Sequence, residues 1–202
     1  MRVKKILVWS QYVFLVAGFS ALGYCALVAG ATSYYQARAR DRLSISAPAL
    51  TASSGPASPL WPVPTTLRVG SGLALVGRVE VPRVKLSAMV AEGASSRVLR
   101  LAVGHLPGTA LPWESGNVTL VAHRDTFFRR LGELKPGDVI RMTVPGTQYT
   151  YRVTFSDIVN PEDTWVLQPA TGETLTLVTC YPFHFVGPAP QRFVVRARLE
   201  AK

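Results

Sequence analysis

The sequence predicts a mainly β domain, either a closed barrel or a sandwich, preceded by one N-terminal transmembrane helix. Three observations support this fold class. An uncharged apolar segment lies near the N-terminus, a proline-rich stretch follows it, and many short β-type segments separated by turns fill the remainder. These changes in composition predict a membrane anchor over residues 1–35, a linker over 36–72 and a folded domain over 73–202.

Composition and charge exclude several classes of protein. With 48% apolar and 17% charged residues, the chain is too apolar for a disordered protein. Its two cysteines exclude a disulfide scaffold and a cysteine-based zinc site. About half of the net charge of +10 flanks the apolar segment. Residues 68–202 have no basic stripe interleaved with aromatic residues, so nucleic-acid binding is not predicted.

The apolar segment is Ile6–Ala31, and it contains no charged residue. As a helix its 26 residues would extend about 39 Å, which is enough to cross a hydrocarbon core of about 30 Å with tilt. Ala29–Ala31 resembles a signal-peptidase site, but the run is longer than the apolar core of a cleaved signal. We therefore predict an uncleaved, single-pass anchor. The basic residues beyond it lie further from the apolar run than those before it, which favours an extracytoplasmic domain.

The linker and the domain differ in their local signals. Residues 44–66 contain five prolines and no charge, which is typical of a semi-stiff spacer. Turns at Pro136–Gly137 and Pro145–Gly146 punctuate the domain, and short helices are predicted at Ala94–Leu101 and Thr126–Leu131. The predicted strands are Leu75–Val81, Val118–Ala122, Val139–Val144, Tyr149–Val159, Thr174–Thr179 and Phe193–Leu199.

Cys180 is the residue whose position most suggests chemistry, because it would be a lone thiol in an exported domain. Cys25 lies in the apolar segment, so the two cysteines are not expected to pair. A thiol needs a base or an ion-pair partner to act as a nucleophile. By spacing alone, His123 and His105 are equal candidates. Arg192 could stabilise an oxyanion if its strand is the antiparallel neighbour of the strand that ends at the thiol.

Several segments match sequence motifs of one known family. Thr176–Cys180 is TLVTC, similar to a TLxTC signature, and Arg192 follows it by twelve residues. Val121–Phe128, Gly104–Pro112 and Tyr181–Ala197 match further stretches. Through these residues the chain resembles the sortases, the membrane-anchored cysteine transpeptidases of bacteria. The resemblance covers residues 73–199 and is greatest to the class D or class E branch.

The resemblance implies both a fold and a mechanism. The fold would be a sortase-type closed β-barrel of about eight strands with short helices. Cys180 would attack an LPXTG-like sorting motif after its Thr and form a thioacyl enzyme, His123 would act as general acid and then as base, and Arg192 would bind the oxyanion. The implied partners are proteins with a C-terminal sorting motif, an amine acceptor (a cell-wall peptide or a pilin lysine) and the cell membrane. No cofactor and no metal are implied.

Further residues follow from the same resemblance. Thr179, Tyr181, Trp165 and Trp113 are predicted to contribute to substrate binding. Two positions depart from the family: Trp113 stands in a loop where glycine is common, and Ala122 replaces the glycine before the histidine. Alanine at that position requires a negative φ.

Two other functions remain open at this point. One is another exported Cys/His acyltransferase, such as an L,D-transpeptidase, although those have a histidine within about twenty residues of the cysteine whereas His123 lies 57 residues before Cys180. The other is a non-catalytic membrane-anchored domain that binds extended peptides, for which Cys180→Ala would leave peptide binding unchanged.

Overall fold

The computed structural model describes residues 2–46, 67–68, 72–168 and 172–201. Short 3-10 helices occur within these ranges at Pro82–Val84, Leu131–Glu133 and Thr164–Leu167. The α-helices are α1 (Arg2–Ser46) and α2 (Ser96–Leu101). The strands are β1 (Leu67–Arg68), β2 (Ala74–Val81), β3 (Leu86–Glu92), β4 (Val103–His105), β5 (Asn117–Val121), β6 (Val139–Val144), β7 (Thr147–Val159), β8 (Thr174–Tyr181) and β9 (Gln191–Ala201).

The strands form a closed barrel. Their order is β1-β2-β3-β4-β5-β8-β9-β7-β6, and β6 also pairs with β2, so the eight strands from β2 to β9 complete a ring. Most pairs are antiparallel, but β3 with β4 and β5 with β8 are parallel. The closed barrel of about eight strands is thus confirmed, and the sandwich is not what forms.

The barrel interior is filled by apolar side chains from every wall. Val79, Leu120, Ile140, Leu177 and Val195 are all fully buried there. Burying one such side chain stabilises the fold by about 1.5–3 kcal/mol. The alternation of apolar and polar residues along β6 and β8 therefore determines which side chains face inward and which face the outer surface.

The predicted strands agree with the structure, but two wall strands were not predicted. β6 has the predicted bounds, and the other five predicted strands differ from the observed ones by one or two residues at one or both ends. β3 and β4 were missed, because LSAMVAE and VGH lack the alternation and the β-branched content that signal a strand. Their pairing is parallel and connected through α2, so no hairpin turn marked them either.

The helix predicted at Thr126–Leu131 is wrong. The amides of Thr126 and Phe128 both donate to the His123 carbonyl, which gives overlapping turns followed by a 3-10 helix from Leu131 to Glu133. Aromatic and β-branched residues favour the α-helix weakly. Here Phe128 and Leu131 are drawn into the barrel core instead.

Helix α1 reaches from the apolar segment to the barrel. Between Trp9 and Leu43 it is long and apolar enough to cross a membrane. Tyr35, Ala39 and Leu43 recur at helical spacing and are buried against β2, β3 and α2. The helix continues to Ser46, into residues assigned to the linker. The boundaries 1–35, 36–72 and 73–202 remain predictions, and most of the proline-rich stretch lies outside the described residues.

Candidate active site at the ends of three adjacent strands

The candidate site lies where β5, β8 and β9 run side by side, with β8 in the centre. β8 pairs in parallel with β5 and antiparallel with β9. The three chemistry-bearing side chains predicted from the sequence all belong to this part of the barrel wall. Cys180 is on β8, Arg192 is on β9, and His123 follows the end of β5 by two residues.

Cys180 and Arg192 are directly opposite each other in the β8–β9 ladder. Opposed residues of an antiparallel pair lie on the same face, with Cβ atoms about 4.5–5.5 Å apart. Their neighbours Thr179 and Phe193 belong to the other face and pack toward the barrel interior. Cys180 is a free thiol and is half-buried. The strand register therefore places a guanidinium-bearing side chain beside a partly accessible thiol.

His123 is aligned with Cys180 from the other side. Val121 is the register partner of Val178, and the ladder continues one step further because the Ala122 amide donates to the Val178 carbonyl at 3.3 Å. Two residues beyond the last pair, His123 falls opposite Cys180. Since side chains alternate between faces along a strand, His123 is on the same outer face as the thiol. His105, the equal candidate by spacing, is not brought there.

His105 instead holds the loop that follows β4 through contacts of both its ring nitrogens. It is buried, its Nδ1 lies 2.7 Å from the Glu92 carboxylate, and its Nε2 lies 3.0 Å from the Ala110 carbonyl. The same loop, residues 106–116, borders a cavity of about 290 Å³ at the end of β5 opposite to His123. That cavity is therefore separate from the site around Cys180.

The loop between β8 and β9 is held in place by two arginines. Arg192 donates through Nη1 to the carbonyls of Ala189 and Gln191. Arg124, the residue after His123, donates to the carbonyls of Pro182 at 3.1 Å, Phe185 at 2.7 Å and Gly187 at 3.0 Å. Its guanidinium also lies over the Phe185 ring. The histidine segment and the loop after the cysteine are thus bonded directly to each other.

Thr179 and Tyr181 flank the thiol but face elsewhere. Thr179 is buried and its hydroxyl donates to the Ala122 carbonyl at 2.8 Å, so this side chain joins β8 to the residue before His123. Tyr181 belongs to an aromatic cluster, with ring centroids 5.8 Å from Phe183 and 6.2 Å from Phe193. Both residues shape the surroundings of the thiol from inside the barrel wall.

The two tryptophans lie in different places. Trp165 is in the β7–β8 loop, half-exposed on the outer face, with the Arg196 guanidinium 5.8 Å from its ring centroid. Arg196 is opposite Thr176 on β8, four residues along the strand from Cys180. Trp113 precedes β5, at the end of that strand away from His123, and packs against the core. The structure thus brings Trp165 to the same outer face as Cys180 but does not bring Trp113 near the thiol.

Two supporting residues escaped the sequence analysis. Arg124 is one. The other is Asn117, which is buried, donates to the Val166 carbonyl and accepts from the hydroxyls of Thr174 and Thr176. Arg196 donates to the same Val166 carbonyl at 2.6 Å, and burial lowers its pKa from the ordinary value. These bonds hold the β7–β8 loop over the outer face of β8 and β9.

Neither departure from the family pattern distorts the site. Lys85 is the only non-glycine residue with a positive φ in the part of the chain that the structure describes, so Ala122 meets its requirement for a negative φ. Trp113 lies away from the thiol. Among the same described residues, no group of three or more His, Cys, Asp or Glu side chains could hold a metal ion.

Comparisons with known proteins agree on one family. A family model described as a sortase domain matches residues 79–200. The chain is 38% identical over 120 residues to sortase D of Bacillus subtilis (strain 168), a match covering 59% of this chain and 61% of that protein. It thus spans about three fifths of the length of this curated relative.

The fold of this chain resembles those of solved sortase structures. Sortase C-1 from Actinomyces oris is 32% identical with a TM-score of 0.58, covering 63% of this chain and 75% of that one. Sortase A from Corynebacterium diphtheriae is 28% identical with a TM-score of 0.60, covering 64% and 72%. Sortase D5 from Clostridium perfringens, at 22% identity, shares the fold with a TM-score of 0.64 over 85% of this chain and 99% of that one.

Proposed function

Because the chain belongs to the sortase family, whose members are transpeptidases, we propose that it is a membrane-anchored cysteine transpeptidase acting on the sorting motif of other proteins. One observation supports this most directly. Arg192 is the register partner of Cys180, and the β5–β8 register, extended two residues beyond the Val121–Val178 pair, sets His123 opposite Cys180 on its other side. A nucleophile between a titratable base and a fixed cation is what acyl transfer through a thioester requires.

The first half of the proposed reaction forms a thioester. The Cys180 thiolate attacks the carbonyl carbon of the Thr residue in an LPXTG-like motif. The tetrahedral intermediate places its oxyanion toward the Arg192 guanidinium. When the C–N bond breaks, His123 donates its proton to the departing amine, and the peptide remains attached to sulfur. An imidazolium beside a thiolate supplies both the nucleophile and the acid.

The second half transfers the acyl group. The amine of a cell-wall peptide or of a pilin lysine attacks the thioester, and neutral His123 takes the proton that this amine loses. The new amide bond forms as the carbon–sulfur bond breaks, and the thiolate is regenerated. Anchoring by α1 would place this exchange at the extracytoplasmic side of the cell membrane. Trp165, exposed beside Arg196, is an aromatic side chain available to an extended substrate on this face.

The test uses the full chain in detergent micelles with LPXTG-like and LAXTG-like peptides and an amine acceptor. Intact mass spectrometry follows both the peptides and the protein. We expect cleavage between the fourth and fifth motif residues and an acyl adduct that Cys180→Ala abolishes. Cys25→Ala, which removes the other thiol, is the matched control and keeps both. Absence of cleavage and adduct from folded protein with a free thiol, together with peptide binding that survives Cys180→Ala, would favour the non-catalytic peptide-binding domain instead.

A further inference from the structure

We propose that the C-terminal end of α2, centred on Arg100, contacts the phospholipid headgroup layer, so that the barrel meets the membrane by its active-site end. This inference rests on the membrane anchoring in the proposed function. It concerns how the domain is held relative to the bilayer, which the anchor alone does not determine.

Polar contacts from Gln36 and Thr32 connect α1 to α2 and β3. The Gln36 amide donates to the Leu101 carbonyl at 2.7 Å, and the Thr32 hydroxyl lies 3.0 Å from the Arg100 carbonyl and 3.0 Å from the Val28 carbonyl of its own helix. The Gln36 side-chain oxygen in turn accepts from the Met89 amide at 2.8 Å. The last carbonyls of an α-helix have no partner within the helix, so α1 satisfies groups that α2 leaves open.

Apolar packing makes the same connection rigid. Tyr35, Ala39 and Leu43 are buried on one side of α1. They form one cluster with residues of β2, β3 and α2 and with Ala102, which follows α2; the other members are Leu75, Met89, Ala91 and Val98. A continuous helix that is buried on one side over more than two turns cannot pivot freely about the barrel. The direction of α1 therefore determines which part of the barrel lies nearest the bilayer.

The depth of Thr32 places Arg100 at the membrane surface. The uncharged run ends at Ala31, and its length of about 39 Å exceeds the hydrocarbon thickness of about 30 Å. Thr32 therefore lies in the headgroup region or just outside it. Arg100 has an exposed side chain and lies at the same level, because its carbonyl is 3.0 Å from the Thr32 hydroxyl and the next carbonyl, of Leu101, accepts from Gln36 one turn further along α1.

The charge of this surface suits lipid phosphates. Residues 93–104 contain Arg97 and Arg100 and no acidic residue, and both arginines are exposed. Basic side chains close to an anionic membrane surface are attracted to the lipid phosphates.

The candidate site is close to this surface. Gly104 pairs with Val121, so the strand register places Val103 beside Ala122, the residue before His123. The Cα atoms of Leu101 and Val103 are two residues apart in the chain, Val103 and Ala122 are one interstrand spacing apart, and His123 is the next residue. The sum of these steps gives an upper limit of roughly 16 Å between the Cα atoms of Leu101 and His123. A barrel docked in this way presents His123 and Cys180 to segments that emerge from the bilayer.

Fluorescence quenching measures the predicted depth. The full chain, with Cys25→Ala and Cys180→Ala, is placed in phosphatidylglycerol–phosphatidylcholine vesicles that carry headgroup nitroxide labels. A fluorophore is attached at Arg100→Cys, at Ser33→Cys on α1, or at Ser115→Cys at the opposite end of the barrel. We expect the label at residue 100 to be quenched about as strongly as at 33, and roughly fivefold more than at 115, because the headgroup layer is only about 5–8 Å thick.

A matched pair of substitutions tests whether docking of α1 determines this depth. Ala39 is fully buried and Ala37, on the same helix, is exposed. Ala39→Glu should lower quenching at residue 100 at least about twofold, because a carboxylate cannot remain in an apolar contact, while Ala37→Glu should not. Quenching at 100 no greater than at 115, with strong quenching at 33, overturns the proposal. Weak quenching at 33 overturns its membrane premise, whereas peptide cleavage in micelles tests the chemistry separately.

Discussion

Arg192 and Arg198 differ in what their side chains can reach, although both are on the outer face of β9. Arg192 is opposite Cys180, and Arg198 is opposite Thr174 at the other end of β8. If Arg192 stabilises the oxyanion, Arg192→Lys should lower kcat/KM for the peptide about 10²–10³-fold, since a lysine cannot reproduce the planar pair of donors. Arg198→Lys should change it less than about twofold. Equal effects of the two substitutions would contradict an oxyanion role.

Arg124 acts on the site through the β8–β9 loop. Its three backbone acceptors span Pro182 to Gly187. Arg124→Ala should raise amide hydrogen exchange in residues 183–187 and lower kcat/KM roughly tenfold, because small misplacements at a reacting centre cost large factors in rate. Arg129→Ala, an exposed neighbour in the same segment, is the control. Unchanged exchange and unchanged kcat/KM in Arg124→Ala would show that the loop does not depend on this arginine.

The β7–β8 loop depends on one buried amide. Asn117 joins the loop at Val166 to the Thr174 and Thr176 hydroxyls of β8. Asn117→Ala should reduce the free energy of unfolding by about 2–4 kcal/mol, since it leaves several buried polar groups without their hydrogen-bond partner. The measurement is urea unfolding of the full chain in detergent.

A control for this substitution lies two residues along the same strand. The Thr119 hydroxyl is buried and has no hydrogen-bond partner among the residues that the structure describes. Thr119→Val keeps the shape of the side chain and removes an unsatisfied group, so stability should stay within about 0.5 kcal/mol or rise. A large loss in Thr119→Val, comparable to that in Asn117→Ala, would show that shape at β5, not the hydrogen bonds, stabilises this wall.

Elements with their own local signals were predictable, and those defined by their partners were not. β6 is flanked by two Pro-Gly turns and alternates in polarity, so its bounds follow from the sequence. β3 contains alanine, methionine and serine and is buried over four consecutive residues, which gives no alternation to detect. It is a strand because β2 and β4 pair with it on either side.

In the candidate site, too, the residue types could be predicted from local sequence, whereas their alignment depends on strand pairing. Cys180, His123 and Arg192 could be proposed from residue type and motif, because a lone thiol, imidazoles at strand ends and an arginine after a loop are visible in the chain. Their alignment depends on the parallel pairing of β5 with β8, which joins residues 57 positions apart in sequence. The choice between His123 and His105 also depended on topology, since both follow apolar runs and only one ends beside β8.

At the scale of the whole molecule, the barrel wall and the membrane helix together define the surroundings of the thiol. The outer face of β5, β8 and β9 presents Cys180, and the β7–β8 loop covers that face further along through Val159, Val166 and Val194. Helix α1 docks on β3 and α2, on the other side of β4 and β5. An extended peptide could therefore follow the outer face without meeting α1.

Stability of the whole barrel should fall at alkaline pH through Tyr151. This side chain is 1% exposed. Burial, together with the nearby Glu173 and Tyr149, raises its pKa well above its ordinary value. In the unfolded chain the phenol ionises above a pKa of about 10, while in the folded chain it stays protonated. Its contribution is therefore complete below pH 10 and is lost as the pH rises toward the folded pKa, at about 1.4 kcal/mol per pH unit.

Tyr151→Phe removes that dependence. Between pH 10 and 11.5 the free energy of unfolding, measured with urea in detergent, should fall less steeply than in the wild type, by up to about 1.4 kcal/mol per pH unit at the upper end of this range. Tyr34→Phe, at an exposed tyrosine of α1, should retain the wild-type slope. If Tyr151→Phe and the wild type lose stability in parallel above pH 10, the phenol ionises equally in both states and is not protected by the barrel.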